Sequence, residues 1–289
     1  MKLTIITINY NSSENTIKLL ESLKNQTDKD FGVIVVDNNS HDVEKLMDYQ
    51  TSETNIIYIK NDRNLGYSGG NNVGIQKALN PPTGGGSDWV LLLNNDTIPE
   101  SRLIEHLKAD LGVREGVIGL ALNEGEKTAF GGLVQWLKPT LKHIYDQSGL
   151  NSRQIYAVGG AMLIHKSVFD KVGLLDENYF LYFEDADFCQ RARKARIPVS
   201  FLPIKIFHSV SSSTKKLGAP VLLRYHYRNA LYFNFKNGPW YIKLLVWPWS
   251  WFIAVKQIIK ILASKNREQS LAILKGVGDW YICKMGKIT

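Results

Sequence analysis

The stretch Val33-Ile-Val-Val-Asp37-Asn-Asn-Ser40 is an apolar, β-branched run that ends on an acidic side chain. Similar short apolar runs lie before and after it, at residues 3–8, 56–59 and 90–93. Helical or polar segments separate these runs, and this alternation predicts βαβ units in a mostly parallel sheet. Because ligands bind such sheets at the carboxyl ends of the strands, we expect Asn9, Asp37 and residues 94–96 to form one binding edge.

The second half of the chain has a more varied pattern. It predicts a strand over residues 155–164, a short helix over 166–172, a helix over 186–195 and a strand over 199–207. Residues 124–154 have weak periodicity and receive no assignment. From about residue 211 the pattern is helical and aromatic, so we predict an α/β domain over residues 1–212 and a helical region over 213–289.

The composition is typical of a folded protein, with 44% hydrophobic residues and a net charge of +8 in 289 residues. Residues 211–289 hold thirteen Lys or Arg, only two acids and five of the seven Trp. Cys189 and Cys283 lie far apart without metal-ligand spacing, which argues against a disulfide framework and a zinc site. The apolar run at residues 3–8 is too short for a signal peptide, so we expect a cytoplasmic protein.

Three polar motifs at the strand ends suggest ligand binding, although each has a simpler interpretation. Asp37 could merely cap the helix that follows. The stretch Asn64-Leu-Gly-Tyr-Ser-Gly-Gly-Asn-Asn-Val-Gly74 would let the backbone approach a ligand, but its glycine spacing differs from a dinucleotide fingerprint. Asp96, at the end of Leu91-Leu-Leu-Asn-Asn-Asp96, could hold a divalent cation against a diphosphate, and Asn-Asn-Asp is also common in turns.

The stretch Asp176-Glu-Asn-Tyr-Phe-Leu-Tyr-Phe-Glu-Asp-Ala-Asp187 crowds carboxylates around an aromatic run. Crowded acids raise one another's pKa, which suits a general base or a metal site. The same acids could cap the next helix, but one acid is enough for a cap. His208 follows the last predicted strand; a lone His is more often structural, but here it could complete a metal site with the acids.

In this order, the motifs resemble the family 2 glycosyltransferases of the GT-A fold, and among them the bacterial rhamnosyltransferase-like branch. The matching segments are Ile6-Thr-Ile-Asn-Tyr-Asn11, Val36-Asp-Asn-Asn-Ser40, residues 64–74, Leu93-Asn-Asn-Asp96, Val158-Gly-Gly-Ala161, Phe183-Glu-Asp-Ala-Asp187 and His208. The resemblance implies an α/β GT-A catalytic domain, which is Rossmann-like with a mostly parallel sheet, and a helical, aromatic-rich C-terminal extension.

The resemblance also implies a role for each matched residue. Asp37 would bind the nucleotide base, and Asp185 would be the catalytic base. Asp96 would ligate Mg²⁺ or Mn²⁺ on the diphosphate, with His208 joining that metal. Further residues expected to bind the donor are Thr7, Asn9, Asn64, Gly69, Asn71, Asn94, Asn95 and Arg228. Gly160 and Glu184 are expected on the acceptor side.

One departure from the family pattern affects the metal site. The usual Asp-x-Asp is here Asn94-Asn95-Asp96, so an amide replaces the first carboxylate. The implied reaction is a single inverting displacement, in which Asp185 deprotonates an acceptor hydroxyl and a metal stabilises the departing diphosphate. The expected donor is dTDP-rhamnose or a UDP-sugar, and the expected acceptor is a lipid-linked glycan or polysaccharide. The alternative is a non-catalytic nucleotide-sugar or glycan-binding protein with a degenerate site.

Residues 240–262 are apolar but are interrupted by Lys243, Pro248, Lys256 and Lys260. The longest uncharged run, residues 244–255, is too short to cross a bilayer core of about 30 Å. With Trp at headgroup depth and Lys toward anionic lipid, the segment could lie on a membrane surface. We therefore expect a peripheral protein on the inner face of the cell membrane. A homodimer interface or a lid over the site are the alternatives, and the apolar stripe argues against nucleic-acid binding.

Overall fold

Four parallel strands form one side of the main sheet in this computed structural model, which describes residues 2–49, 55–82, 84–111, 115–150, 152–208 and 219–288. The elements of this half are β1 (Leu3–Asn9), α1 (Ser13–Lys24), β2 (Gly32–Asp37), α2 (Glu44–Met47), β3 (Asn55–Lys60), α3 (Gly66–Leu79) and β4 (Trp89–Leu93). The strand order is β3-β2-β1-β4. The predicted βαβ alternation is confirmed, and the polar residues after β1, β2 and β4 lie at one edge of the sheet.

The other side of the sheet is mixed. Its elements are β5 (Thr97–Pro99), α4 (Leu103–Leu111), β6 (Val117–Asn123), β7 (Thr128–Ala129), β8 (Gly131–Leu133), β9 (Lys142–Ile144), β10 (Ile155–Tyr156), β11 (Ala161–His165), α5 (Lys166–Val172), α6 (Glu184–Lys194) and β12 (Val199–His208). Strand β11 runs antiparallel between β4 and β6, β12 runs parallel to β6, and β5 runs antiparallel to β12. Strands β10, β8 and β9 form a separate small sheet.

Both faces of the main sheet are buried, which explains why its strands are uniformly apolar rather than alternating. Ile6, Ile34 and Val36 face one core, which α3 and α6 cover. Ile5 and Val35 face the opposite core, which α1 and α4 cover. Each fully buried aliphatic side chain of this kind contributes about 1.5–3 kcal/mol to stability.

Two predicted elements differ from the structure. Residues 155–164 do not form one strand, because β10 joins the small sheet and β11 joins the main sheet. The segment between the two strands contains Gly159 and Gly160. Helix α6 begins at Glu184, two residues earlier than predicted, so Glu184 and Asp185 lie inside its first turn.

The predicted helical tail is confirmed, and it consists of α7 (Ala219–Asn237), α8 (Trp240–Leu262) and α9 (Arg267–Tyr281). Helix α7 contributes Ala230 and Phe233 to the same core as Ile6. The three tail helices also share a core of their own, formed by Leu231, Val246, Ile253, Ile273, Val277 and Trp280. The predicted domain boundary at 212–213 falls outside the described residues and stays a prediction.

Candidate active site

A cleft opens at the carboxyl ends of β1, β2 and β4. Its open volume is about 900 Å³, solvent mouth included. The residues that line it are Ile8, Tyr10, Asn38, Asn64, Gly66, Tyr67, Asn71, Leu93, Asn94, Asn95, Asp96, Phe180 and Leu181. Five predicted site residues therefore lie on one cleft, namely Asn64, Asn71, Asn94, Asn95 and Asp96.

Asp37 is buried beside the cleft and is held by the ends of β1 and β2. Asn9 Nδ2 donates to Asp37 Oδ1 at 2.7 Å, and the Ser40 backbone N–H donates to Asp37 Oδ2 at 2.9 Å. The Asn9 side chain also accepts a hydrogen bond from Thr16 Oγ1 at 3.0 Å. Through these hydrogen bonds the fully buried Asn9 connects β1 and β2 to α1.

The structure places Thr7, Asn9 and Gly69, which we predicted to contact the donor, behind the residues that line the cleft, and their contact with the donor stays a prediction. The Thr7 and Asn9 side chains are completely buried, and none of the three residues lines the cleft. Gly69 lies within α3, where an added Cβ would come within 2.8 Å of Leu65 Cβ. These residues support the wall of the cleft because they lie beneath the side chains that face it. Gly160 has a similar supporting part, since its carbonyl accepts the Asn94 N–H at 3.0 Å.

Gly66 is required where α3 begins at the cleft. Its φ is +73°, and a Cβ would lie 2.4 Å from the carbonyl oxygen of Phe180. Asn64 Oδ1 accepts the Gly66 N–H at 2.8 Å, and Asn38 Nδ2 donates to the Gly66 carbonyl at 2.9 Å. The glycine-rich motif thus provides a left-handed turn and a close approach to the loop that carries Phe180.

Asp96 and His208, which we call the metal corner, are brought together by the pairing of β5 with β12. His208 is in register with Thr97, and its Nε2 lies 3.3 Å from Asp96 Oδ1. Burial lowers the pKa of His208, but the hydrogen bond and charge of Asp96 and the charge of Glu124 outweigh it, so the pKa is raised overall. A carboxylate oxygen and an imidazole nitrogen at this spacing fit a divalent cation.

The described part of the chain contains no group of three or more His, Cys, Asp or Glu side chains that could hold a metal by itself. A cation at Asp96 and His208 would therefore need further ligands from outside the protein. This is the usual arrangement for Mg²⁺, which is bound by one or two carboxylates together with substrate phosphates and water. The metal corner thus fits a cation that arrives with a diphosphate.

Glu124 and His143 extend the metal corner, and sequence reasoning missed both. Glu124 Oε1 lies 3.2 Å from His143 Nδ1 and 3.8 Å from His208 Nδ1. Because β6 and β12 are parallel and pair Asn123 with Phe207, the residues that follow them lie side by side. Glu124 was recognisable as an acid directly after an apolar strand, the same signal that identified Asp37 and Asp96.

Glu184 and Asp185, which we call the acid pair, are both buried. Burial raises the pKa of Glu184 well above its ordinary value, and the charge of Asp185 raises it further. Burial also raises the pKa of Asp185, against the N–H groups of Gly159 at 2.9 Å and Ala186 at 2.7 Å. Among the described residues Glu184 Oε2 has no hydrogen-bond partner. The negative charge of the pair therefore belongs on Asp185.

Tyr67 connects the acid pair with the cleft. Its ring lines the cleft, and its hydroxyl donates to the carbonyl of Gly159, whose N–H donates to Asp185. Burial raises the pKa of Tyr67, and the negative charge of nearby acids raises it further. Tyr67 lines the same cleft as Asp96, and its hydrogen bond to Gly159 joins that cleft to Asp185, so both groups of acids belong to one site.

Arg228 does not line the cleft, and its predicted contact with the donor stays a prediction. Its side chain is fully buried, and its Nη2 donates to the Tyr179 carbonyl at 3.2 Å. Burial lowers its pKa to about 10. Arg228 thus helps to hold the loop ahead of the acid pair, because its Nε donates to Asn229 Oδ1 and its Nη1 and Nη2 donate to the carbonyls of Lys284 and Tyr179.

Comparison with known proteins agrees with this architecture. A low-salt glycan biosynthesis hexosyltransferase of Haloferax volcanii is 34% identical over 218 residues, which is 68% of this chain but less than two thirds, 63%, of that protein. An N-acetylglucosaminyl-diphospho-decaprenol L-rhamnosyltransferase of Mycobacterium tuberculosis is 23% identical over 302 aligned residues, covering 95% of this chain and 98% of that protein.

A solved structure shares the fold over most of the chain. The mannosyltransferase of Pyrobaculum calidifontis in complex with GDP-Man and Mn²⁺ matches with a TM-score of 0.59 at 11% identity, covering 98% of this chain and 87% of that one. The predicted α/β GT-A fold is confirmed. Residues 4–173, more than half of the chain, match the profile described as Glycosyl transferase family 2. The chain therefore belongs to glycosyl transferase family 2.

Proposed function

We propose that this family 2 enzyme is a metal-dependent, inverting hexosyltransferase that moves a sugar from a nucleoside diphosphate to a glycan hydroxyl. The observation that carries the proposal is the geometry around Tyr67, which lines the cleft beside Asp96 of the metal corner and is joined through Gly159 to Asp185 of the acid pair. A carboxylate and imidazole can bind a cation with the donor diphosphate, and a buried carboxylate can accept a proton from the attacking hydroxyl.

The donor would bind along the amide-rich wall of the cleft. Asn64, Asn71, Asn94 and Asn95 line this wall, and each amide offers both hydrogen-bond donors and acceptors. Asp37 would bind the base. The rhamnosyltransferase relative supports rhamnose as the sugar. We therefore propose dTDP-rhamnose as the donor, with a UDP-sugar as the alternative.

Asp185 would act as the general base, with Glu184 and Gly160 beside the acceptor. Its carboxylate takes the proton of the acceptor hydroxyl while that oxygen attacks the anomeric carbon from the face opposite the diphosphate. The bond to the diphosphate breaks as the new glycosidic bond forms, and the configuration inverts. Mg²⁺ or Mn²⁺ held by Asp96 and His208 would supply positive charge to the departing diphosphate.

The test is release of the nucleoside diphosphate from a panel of nucleotide sugars, with Mn²⁺ or Mg²⁺ and with or without a lipid-linked glycan. We expect release with one preferred donor and loss of release on addition of EDTA. Selective donor binding without release, even in the presence of acceptors, would favour the alternative of a non-catalytic nucleotide-sugar or glycan-binding protein.

The surface of α8 supports a lipid-linked acceptor and peripheral association with the inner face of the cell membrane. Among the described residues, α8 is the one helix long and apolar enough, by length and composition, to cross a membrane. Its buried stripe packs on α7 and α9, so the opposite, outer face is left for lipid. That face exposes Trp240 (74%), Trp251 (68%), Phe252 (66%) and Leu262 (81%).

The positive charge of the C-terminal region favours binding to anionic lipid. The tail carries thirteen basic and two acidic residues, and Lys243 and Lys256 flank the outer apolar face, where they can reach anionic headgroups. We expect the protein to float with vesicles that contain anionic lipid, and Trp251→Glu with Phe252→Glu to abolish flotation. Ile57→Glu, at an exposed apolar residue of β3, is the control. If the double variant instead converts a dimer to a monomer, the outer face is a homodimer interface.

A further inference from the structure

The loop that precedes the acid pair has an unusual backbone. Phe180, Tyr182 and Phe183 have φ angles of +64°, +69° and +75°. This left-handed region is rarely occupied by residues other than glycine, and such conformations persist only where the surrounding structure holds them. Three of them within four positions indicate that this loop is held by groups outside itself.

Asn229 of α7 is the main group that holds the loop. Its Nδ2 donates to the carbonyls of Tyr179 at 3.0 Å, Leu181 at 2.7 Å and Tyr182 at 3.1 Å. An amide nitrogen has only two hydrogens, so three carbonyls converge on one fully buried group. Arg228 adds its hydrogen bond to Tyr179. The loop therefore depends on a side chain from the tail.

The shape of the loop determines both the cleft and the direction of the acid pair. The Phe180 carbonyl accepts the Tyr67 N–H at 2.7 Å, which fixes the loop against α3. Phe183, in its left-handed conformation, is the residue from which α6 begins. A change in its backbone would therefore turn the first helical turn, where Asp185 lies.

We propose that Asn229 is a positioning residue for glycosyl transfer, because its amide holds the left-handed loop that aims Asp185 at the acceptor. The inference rests on the proposed function of the acid pair. Asn229 is buried beneath the loop and acts through it, so it is not itself a catalytic residue. Helix α7 is then part of the catalytic apparatus, although it lies outside the segment that matches the family profile.

The test compares two buried asparagines of the same helix. Asn229→Ala removes the group that holds the loop. Asn234→Ala is the matched control, since Asn234 Nδ2 donates to Ala230 and its Oδ1 accepts from Leu137, away from the loop. We expect both variants to lower Tm, but only Asn229→Ala to reduce kcat, by about 100-fold, the scale of a misplacement of about 1 Å. Its affinity for the nucleoside diphosphate with Mn²⁺ should fall much less than kcat, because the loop supplies only Phe180 and Leu181 to the cleft, whereas Asn64, Asn71 and the metal corner lie outside it.

Equal kcat in the two variants would overturn the proposal, as would a loss of nucleotide affinity as large as the loss of kcat in Asn229→Ala. Asn229→Ser keeps one donor and should give an intermediate kcat; it replaces Asn229→Ala in the comparison if the latter does not fold. Full kcat in the serine variant with unchanged loop exchange would also contradict the proposal.

Amide hydrogen exchange separates this inference from the proposed function, because it requires no activity. Residues 179–187 should exchange faster in Asn229→Ala than in wild type, and at the wild-type rate in Asn234→Ala. If exchange follows this pattern while the wild-type protein releases no nucleoside diphosphate, the proposed function fails but the support of the loop stands. Unchanged exchange in Asn229→Ala would refute the positioning role.

Discussion

The metal corner and the acid pair are built in different ways. Asp96 and His208 stand at the ends of strands, and the pairing of β5 with β12 brings them together. Glu184 and Asp185 follow a left-handed loop that is held by Asn229, more than forty residues later in the chain. A site formed by strand ends is fixed by the sheet itself, whereas a site on a held loop depends on a distant contact. We therefore expect substitutions at the metal corner to change metal binding and substitutions at the acid pair, or at the residues that hold its loop, to change turnover.

The largest expected effect is at the acid pair. Asp185→Asn keeps the shape of the side chain but removes the proton acceptor, so we expect kcat to fall by about 10²–10⁴-fold, the usual contribution of a general base. Affinity for the nucleoside diphosphate should remain unchanged. Turnover measured alongside calorimetric titration with the nucleotide checks both expectations.

Glu184→Gln is the matched control for that substitution. Because burial and the charge of Asp185 raise the pKa of Glu184, the neutral form of its carboxyl is favoured, and glutamine resembles this form. We expect kcat to stay within about threefold of wild type. If Glu184→Gln abolishes turnover and Asp185→Asn does not, the charge belongs to Glu184 and the two roles are reversed.

At the metal corner, Glu124→Ala should weaken binding of Mn²⁺ by about 10–100-fold, the usual effect of removing a group that orients a ligand. Glu124 Oε1 lies 3.2 Å from His143 Nδ1 and 3.8 Å from His208 Nδ1, so its negative charge would favour the orientation of the His208 ring in which Nε2 is free for a metal. Electron paramagnetic resonance of Mn²⁺ with nucleoside diphosphate measures this affinity directly. Glu126→Ala, at an exposed acid of the same turn, should have no effect.

The pH dependence of kcat/KM reports on the acid pair. Burial raises the pKa of Asp185, so its proton-accepting form is lost at a higher pH than for an exposed Asp, whose pKa is 3.8. As the pH falls through this raised pKa, kcat/KM should fall about tenfold per unit. The positive charge of His143 lowers the pKa of Asp185, so His143→Gln should move this limb to higher pH. An unmoved limb would assign it to another group.

The same contrast explains what could be predicted from sequence. An apolar strand followed by polar residues is recognisable in the sequence, and Asn94 and Asp96, which follow β4, line the cleft. Asn64, in the glycine-rich segment after β3, lines it as well. Residues 124–154 gave no periodicity because β7, β8 and β9 have only two or three residues each. For that reason His143 was missed, whereas Glu124 directly follows the apolar strand β6 and could have been identified from it.

Contacts between residues far apart in the chain produce no local sequence pattern from which they could be predicted. Arg228 was predicted to bind the donor because a basic residue stood in a recognisable motif, but burial directs it to backbone carbonyls. The part played by Asn229 was hidden because its three acceptors lie 47 to 50 residues earlier. A local window cannot contain both partners of such a contact, so only the folded chain reveals it.

The smallest expected effect, and the most direct test of the departure at Asn94, is an increase in metal affinity. Asn94→Asp restores a second carboxylate on the cleft beside Asp96, and added ligand charge should tighten Mn²⁺ binding by up to about tenfold. Asn95→Asp is the control, because Asn95 Nδ2 donates to Thr16 Oγ1 at 2.9 Å and an acid there loses that donor. If Asn95→Asp tightens binding as much as Asn94→Asp, the gain comes from net charge in the cleft rather than from a ligand position at residue 94. If neither does, Asp96 and His208 already supply all that the protein contributes to the cation.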